Sequence, residues 1–254
     1  MFKFPQTEPK ISVTELPGVE FEVECVDAQS GFVLLAPGAD AEFAFYDHPE
    51  GKPASEPLVF TGAHRLKVGN RILIEGVEAF ETDWWYADPG SDYADRSGTT
   101  YDALDKAGLR TIAWIQRHNP EMWAYETYDM TPIPGLLKPG LKVVGHERVT
   151  VGQDLVRERE FTVEVMGAAE LSIGPKTYRC LKVRSAWYDG DKPDSLAEYY
   201  VADTGRTVYF RRYDGPGSGR YAEKLQTNPT LDHAGVTWRH FYNCLPDHAL
   251  IVGL

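Results

Sequence analysis

The sequence predicts a mainly β fold, a large curved antiparallel sheet that forms a half-barrel or a barrel and carries one or two short helices. Three observations lead to this prediction. Short apolar segments alternate with polar residues, turns rich in proline and glycine separate them, and helix signals are few. A sheet of about a dozen strands curls, so it has a concave face that side chains, a helix or a ligand must fill.

The clearest part of this pattern is a run of four strands at residues 155–166, 178–188, 196–202 and 206–213. Short polar turns join these strands. Apolar and charged residues alternate in the first strand, so its two sets of side chains point to opposite faces of the sheet. The four segments therefore predict an antiparallel meander with one buried face.

Further strands are predicted on both sides of this meander. Residues 1–17 contain three prolines and predict an extended lead-in. Residues 19–25 alternate most regularly and place a row of glutamates toward water. The other predicted strands are residues 31–36, 42–46, 58–61, 71–80, 109–118, 121–130, 141–151 and 236–243. Residues 109–118 and 121–130 form a predicted hairpin, whereas residues 82–101 are too irregular to predict an element.

Two short helices are predicted. Thr99 or Thr100 is a suitable N-cap for a helix over residues 101–107, and Gly108 would end it. The second helix is predicted at residues 221–226.

Prolines and glycines are densest between residues 131 and 140, which is the strongest break in the chain. We predict a single β-rich domain over residues 1–254. The alternative is a division at this break into an N-terminal β part, residues 1–131, and a C-terminal meander, residues 141–254.

The charge of the chain excludes one class of partner. The net charge of −12 repels polyanions, so we predict no nucleic-acid partner. No apolar run approaches the roughly 20 residues that span a bilayer. The N-terminus lacks the apolar core of a secretory signal, which predicts a soluble cytoplasmic protein, or an exported one whose leader is absent from this chain. Three widely spaced cysteines predict reduced thiols.

One stretch resembles a known group of proteins. Residues 177–183 form a strand after a glycine turn, and residues 198–208 form a tyrosine-rich strand that enters a final strand through Gly205. Over about residues 141–213 this order resembles bacterial half-barrel proteins similar to the lipoprotein-carrier superfamily. The resemblance implies a sheet wrapped around a helical plug that holds lipid or another apolar group. It transfers no functional residue.

The aromatic residues are the main candidates for a binding site. Rows of tryptophan and tyrosine on a concave face suit an apolar or aromatic ligand. The predicted ligand-binding residues are Trp84, Tyr86, Trp114, Trp123, Tyr125, Trp187, Tyr199 and Trp238. Trp85 follows Trp84 directly, so only one of the two can face a given side of a regular strand. The alternative is that these aromatics only fill the core.

No motif predicts catalysis, a cofactor or a metal. The acidic loop that includes Asp83, Asp88, Asp92 and Asp95 lacks the spacing of an EF-hand. Acids adjoin histidines at four places, at residues 47–48, 146–147, 232–233 and 247–248, without a recognised catalytic spacing. The catalytic residues therefore stay unassigned, and no cofactor is predicted.

Three functions remain in order of preference. The first is binding of an apolar or amphipathic small molecule in the concave sheet. The second is a hydrolase or isomerase that uses a carboxylate and a histidine in the same concavity. The third is a structural or interaction subunit, such as one of a homo-oligomer, with the apolar residues 249–254 as a candidate contact.

Overall fold

In the computed structural model, the described residues are 10–24, 38, 40–47, 59–92, 96–105, 107–116, 121–128, 133–189, 192–205, 207–213 and 239–243. Within these ranges the chain forms sixteen β-strands and no helix. The strands are β1 Ile11–Glu15, β2 Val23–Glu24, β3 Asp40–Asp47, β4 Val59–Ile74, β5 Val77–Ala87, β6 Arg96–Asp105, β7 Gly108–Gln116, β8 Met122–Tyr128, β9 Ile133–Pro134, β10 Leu136–Leu137, β11 Lys142–Val151, β12 Asp154–Ile173, β13 Lys176–Asp189, β14 Lys192–Ala202, β15 Thr207–Tyr213 and β16 Arg239–Asn243.

One large antiparallel sheet contains most of these strands. Its pairings lead from β12 through β11, β8, β7, β6, β5, β4, β3, β16, β15 and β14 to β13, and β13 pairs in turn with β12. The twenty-residue strand β12 pairs with both neighbours, with β11 over residues 154–164 and with β13 over residues 160–173. The sheet is therefore strongly curved, which confirms the predicted large curved antiparallel sheet.

The central meander is also confirmed. Strands β12, β13, β14 and β15 follow one another in hairpins at the predicted places. The first of them is longer than predicted, since it continues beyond Met166 through an irregularity next to Gly167 and ends at Ile173. This irregularity moves the side chains after Gly167 out of strict alternation, so the sequence pattern did not show that the strand continues.

Residues 71–80 were wrongly predicted as one strand. They form a hairpin, in which β4 ends at Ile74 and β5 begins at Val77. Glu75 and Gly76 have φ angles of 49° and 83°. Positive φ at both central residues is the geometry of the two-residue turns that match the twist of antiparallel strands. A Glu-Gly pair is a weaker turn signal than Asn-Gly, so the pattern alone did not reveal this turn.

The helix predicted at residues 101–107 is wrong, because β6 continues through this segment to Asp105. Strand β6 pairs with β5 on one side and with β7 on the other. Hydrogen bonds to two neighbouring strands outweigh a local capping signal. The irregular segment predicted at residues 82–101 likewise contains the end of β5 and the start of β6. The helix predicted at residues 221–226 and the strand at residues 31–36 lie outside the described residues.

The N-terminal segment differs from its prediction in pairing but not in burial. Within residues 19–24, only Val23–Glu24 forms a strand, which pairs with Leu136–Leu137. Val23 is buried, and the neighbouring glutamates are exposed as predicted. The predicted lead-in contains β1, which pairs with the C-terminal part of β12. Alternation shows which side chains are buried, but a strand also needs a partner.

The break near residues 131–140 contains β9 and β10. The strands on either side of it, β8 and β11, pair directly with each other. The extent of the single domain and its possible division here stay predictions. Within the described ranges, no helix is suited to crossing a bilayer.

A charged row on one side of the sheet joins β13, β14 and β15. Glu198 lies directly opposite Arg184 on β13 and Arg211 on β15. Its two oxygens accept hydrogen bonds from Arg184 Nη2 and Arg211 Nε, both at 2.8 Å, and Lys182 Nζ lies 3.7 Å from Oε1. Burial alone would raise the pKa of Glu198, but the three cations together hold it below its ordinary value. This row ties together the strands that carry Trp187 and Tyr199.

Candidate functional site

One face of the sheet carries the odd-numbered residues of β11, Val143 to Val149, which are buried, while the even-numbered residues are more exposed. We call this the inner face and the opposite one the outer face. The strand registers place seven of the eight predicted aromatic residues on the inner face. They are Trp84, Tyr86, Trp114, Trp123, Tyr125, Trp187 and Tyr199. The eighth, Trp238, lies outside the described residues.

Three tryptophans form a row across four neighbouring strands. Trp114 and Trp123 are directly opposite each other, with ring centroids 6.3 Å apart. Trp114 is also opposite Thr100, whose Oγ1 accepts a 2.9 Å hydrogen bond from Trp84 Nε1. We call Trp84, Trp114 and Trp123 the tryptophan row. Trp85 points to the outer face, as its adjacency to Trp84 predicted.

A polar group lies beside this row on the same face. Asp102 is buried, and its carboxylate accepts hydrogen bonds from Thr111 Oγ1 at 2.7 Å and Thr100 Oγ1 at 2.9 Å. Burial raises the pKa of Asp102 above its ordinary value, although these hydroxyls and that of Thr82 oppose the shift. The carboxyl is thus held by threonines rather than by a cation.

A second group, the arginine–aromatic cluster, lies at the other end of the tryptophan row. It consists of side chains from β8, β11, β12 and β13, namely Trp123, Tyr125, Thr127, Glu147, Arg157, Arg159, Phe161 and Trp187. The registers place Thr127, Glu147 and Arg159 in one row across three strands, and Tyr125, Val149 and Arg157 in the next. Same-face neighbours on adjacent strands are about 4.5–5.5 Å apart at Cβ. The cluster is therefore a continuous patch.

Arg159 is the centre of this patch. Its Nε and Nη2 lie 2.7 Å and 2.6 Å from Glu147 Oε1. Its guanidinium carbon lies 3.8 Å from the centroid of the Trp187 ring, which in turn packs against Phe161 at 5.0 Å. An arginine stacked on an indole and bound to a carboxylate is held in one orientation.

Burial changes the acid–base properties of the cluster. It raises the pKa of Glu147, while Arg159 and Arg157 oppose the shift. It also raises the pKa of the Tyr125 hydroxyl, against the charge of Arg157. Tyr125 therefore stays a neutral hydrogen-bonding group at neutral pH.

Three buried polar atoms of the cluster have no hydrogen-bond partner among the described residues. They are Trp123 Nε1, Thr127 Oγ1 and Arg157 Nε. Burying a donor without a partner costs about 1–3 kcal/mol. Native proteins usually satisfy such groups, and exceptions commonly mark a bound water or ligand. This local excess of donors is the most unusual feature of the inner face.

The chain itself covers one end of the inner face. Val23 and Leu137, each 1% exposed, pack with Phe161, Val163 and Val183. Tyr199 and Trp187 pack against the same apolar group, and Tyr199 stacks on Phe210 at 5.4 Å. Tyr199 therefore contacts the apolar core as Trp187 does, and its predicted role in ligand binding stays a prediction. At the other end, the exposed Tyr86 packs edge-on against His64 at 5.4 Å.

The two arginines and Glu147 were not predicted as site residues, although the sequence contains a signal for them. Arg157 and Arg159 have the same parity as Phe161, which the alternation assigns to the buried face. Their position on the buried face follows from the period of two, whereas their partner Glu147 follows only from the register.

The structure gives the catalytic candidates little support. His146 Nε2 lies 3.7 Å from Glu160 Oε2, but both side chains are about half exposed and lie on the outer face. Burial raises the pKa of Cys180 to about 12, so its thiol is protonated at neutral pH. The described residues contain no group of histidines, cysteines and carboxylates able to hold a metal. The histidines at positions 48, 233 and 248 lie outside the described residues.

Comparison with known proteins gives only weak likenesses. No protein family model matches the sequence, and no curated protein sequence matches it either. A Bacteroides fragilis protein with a YmcC-like fold, named as exported, has a TM-score of 0.41 and 11% identity over 84% of this chain and 97% of its own. A Parabacteroides distasonis protein named as a lipoprotein has a TM-score of 0.39 and 10% identity over 85% of this chain and 98% of its own. These values are too low to assign the chain to a family.

Proposed function

We propose that the protein binds an apolar or amphipathic small molecule against the inner face of its curved sheet. The observation that carries the proposal is the placement of Trp84, Trp114, Trp123, Tyr125 and Trp187 on one continuous face. Aromatic rings bury a large area at a small cost in conformational entropy, which suits them to apolar ligands.

The polar groups on the same face support a binding role. Ligand sites typically combine a mainly apolar lining with a few oriented polar side chains. Asp102 with its threonines and Arg159 with Glu147 are polar groups of this kind. The resemblance of about residues 141–213 to bacterial half-barrel proteins similar to the lipoprotein-carrier superfamily agrees with a site for an apolar group, although the described residues contain no helical plug. The proposal does not depend on whether the protein is cytoplasmic or exported.

Binding is tested with N-phenyl-1-naphthylamine, a neutral apolar probe whose fluorescence increases in apolar surroundings. We expect saturable binding, energy transfer from tryptophan to the probe, and an increase in the melting temperature with probe concentration. The test compares Trp114→Leu with Trp85→Leu. Both replace a half-buried tryptophan, but the first is on the inner face and the second on the outer face.

We expect Trp114→Leu to weaken probe binding by about 10-fold, which corresponds to about 1.4 kcal/mol, and Trp85→Leu to leave it unchanged. Circular dichroism checks that both variants are folded. Equal effects of the two substitutions, or no saturable binding by the folded wild-type protein, would refute the proposal.

A further inference from the structure

We infer that the ligand is a long-chain amphipathic anion, whose carboxylate or phosphate head binds the arginine–aromatic cluster and whose tail lies along the tryptophan row. This inference rests on the proposed function and adds the chemical class of the ligand. Three independent features of the inner face support it: the kind of unpaired polar atoms, the balance of charge, and the direction of the row.

The unpaired polar atoms define the head group. An indole N–H and a guanidinium Nε–H can only donate hydrogen bonds, and a threonine hydroxyl can donate one. Trp123 Nε1, Arg157 Nε and Thr127 Oγ1 therefore all lack an acceptor. They lie on β8 and β12, on either side of β11, in three successive rows of one face, with Arg157 in the middle row. A group with several acceptor oxygens and no donor is complementary to them, and carboxylates and phosphates have this composition.

The charge of the cluster has the matching sign. Arg157 and Arg159 face one carboxylate, Glu147, whose Oε1 lies 2.7 Å from Nε and 2.6 Å from Nη2 of Arg159. The two arginines and the single carboxylate give the cluster a net positive charge. The net charge of −12 slows the approach of an anion over long distances, but solvent ions screen that field beyond about 10 Å. Close to the site, the positive charge of Arg157 has a larger effect on a bound anion than the distant negative charges of the chain.

The tryptophan row gives the direction of the tail. Trp123 on β8 belongs to both groups, and the row continues through Trp114 on β7 to Trp84 on β5. Three inter-strand steps separate Trp123 from Trp84, which is roughly 14 Å. An extended dodecyl chain has about this length. A ligand with one charged end and one long apolar end therefore matches the layout better than a compact ring does.

The probes are dodecanoate, dodecyl phosphate, dodecanol, acetate and inorganic phosphate, each used below the concentration at which micelles form. Displacement of N-phenyl-1-naphthylamine gives the affinity of each. We expect at least one dodecyl anion to bind about 10-fold or more tightly than dodecanol, because charge-assisted hydrogen bonds are stronger than neutral ones. Comparison of dodecanoate with dodecyl phosphate identifies the head group.

Two variants locate the head. Arg157→Gln removes the charge, and Thr127→Val removes a hydroxyl with almost no change in shape. Each substitution should reduce the ratio of the affinity for the dodecyl anion to the affinity for dodecanol. For Arg157→Gln this ratio should fall to about 1, which means no preference. Arg148→Gln is the matched control, since it removes a charge from the outer face of β11. Thr127→Val keeps the test valid should Arg157→Gln fail to fold.

The outcomes separate the two proposals. Equal binding of dodecanol and the dodecyl anions would overturn the anionic head and leave the proposed function intact. Equally tight binding of acetate or inorganic phosphate would overturn the amphipathic ligand in favour of a simple anion site. A preference for the anion that survives both Arg157→Gln and Thr127→Val would overturn the location. Failure of every dodecyl compound to bind would overturn this inference, and failure of the neutral naphthylamine would overturn the proposed function.

Discussion

The charged row around Glu198 allows a quantitative test of how the sheet is held together. The substitution Glu198→Gln keeps the shape of the side chain and removes its charge. Glu198 is 1% exposed, and three cations surround it within 3.7 Å. Removing one member of a buried ion pair costs about 3–5 kcal/mol, because the remaining charges stay buried without compensation.

The expected loss translates into a clear thermal shift. For a chain of this length, 1 kcal/mol corresponds to about 2 °C in melting temperature, so we expect a decrease of about 6–10 °C. Urea denaturation followed by far-UV circular dichroism measures the free energy of unfolding. Glu158→Gln is the control, because Glu158 is exposed and pairs with Arg148 at 3.7 Å, so its loss should cost less than about 0.5 kcal/mol.

The stability lost in Glu198→Gln should also depend on pH. The pKa of Glu198 is lower in the folded protein than its ordinary value of 4.5. Its ionised form therefore stabilises the fold fully above that ordinary value, and this stability is lost as the pH falls through the lowered pKa. The difference between wild type and Glu198→Gln should be constant near neutral pH and narrow below pH 4.5. A loss no larger than that of Glu158→Gln, or a difference independent of pH, would refute the reasoning.

Two further substitutions test the inner face. Because burial raises the pKa of Asp102 above 3.8, the wild type loses stability as the pH rises from that value through the raised pKa. Asp102→Asn has no such loss, so its free energy of unfolding relative to wild type should increase from about pH 3.5 to 7. Urea denaturation at the two pH values measures this difference, and a difference that does not change with pH would contradict the expectation. Gly98→Ala would place a Cβ 2.8 Å from a backbone oxygen of β7 and 3.0 Å from Trp114 Nε1. We expect a loss of about 1–3 kcal/mol from overpacking, measured in the same way, and a negligible loss for the exposed neighbour Ser97→Ala. Equal losses for the two would show that close packing at Gly98 is unimportant.

The strands that sequence alone predicted well are those with regular alternation between clear turns. Strands β7, β8, β11, β13 and β15 lie close to their predicted positions. The failures have local causes. The Glu75-Gly76 turn lacks a strong turn signal, and the capping threonines before Tyr101 imitate a helix start. In both places the ladder of backbone hydrogen bonds to neighbouring strands overrode the local preference.

The residues of the candidate site were likewise predicted only in part. The aromatic residues were recognisable because large rings in alternating positions are easy to identify, and their shared face follows from the registers. The polar partners were not, since Glu147 is separated from Arg159 by a hairpin and Asp102 from Thr111 by another. Which residues meet across two strands depends on the register, and the irregularities next to Val149 and Tyr101 change it locally.

The sequence alone was enough to predict that the chain is mainly β, that a meander lies between residues 155 and 213, and which side of each regular strand is buried. These properties are local, because side-chain direction in a strand repeats every two residues. The three-dimensional structure was needed to show the order of the strands, the pairing of β1 with β12 and of β16 with β3, and the meeting of Arg157, Arg159 and Glu147 beside Trp123 and Trp187. Those contacts join distant segments, and they form because buried charges and backbone groups need partners that the neighbouring residues in the chain do not supply.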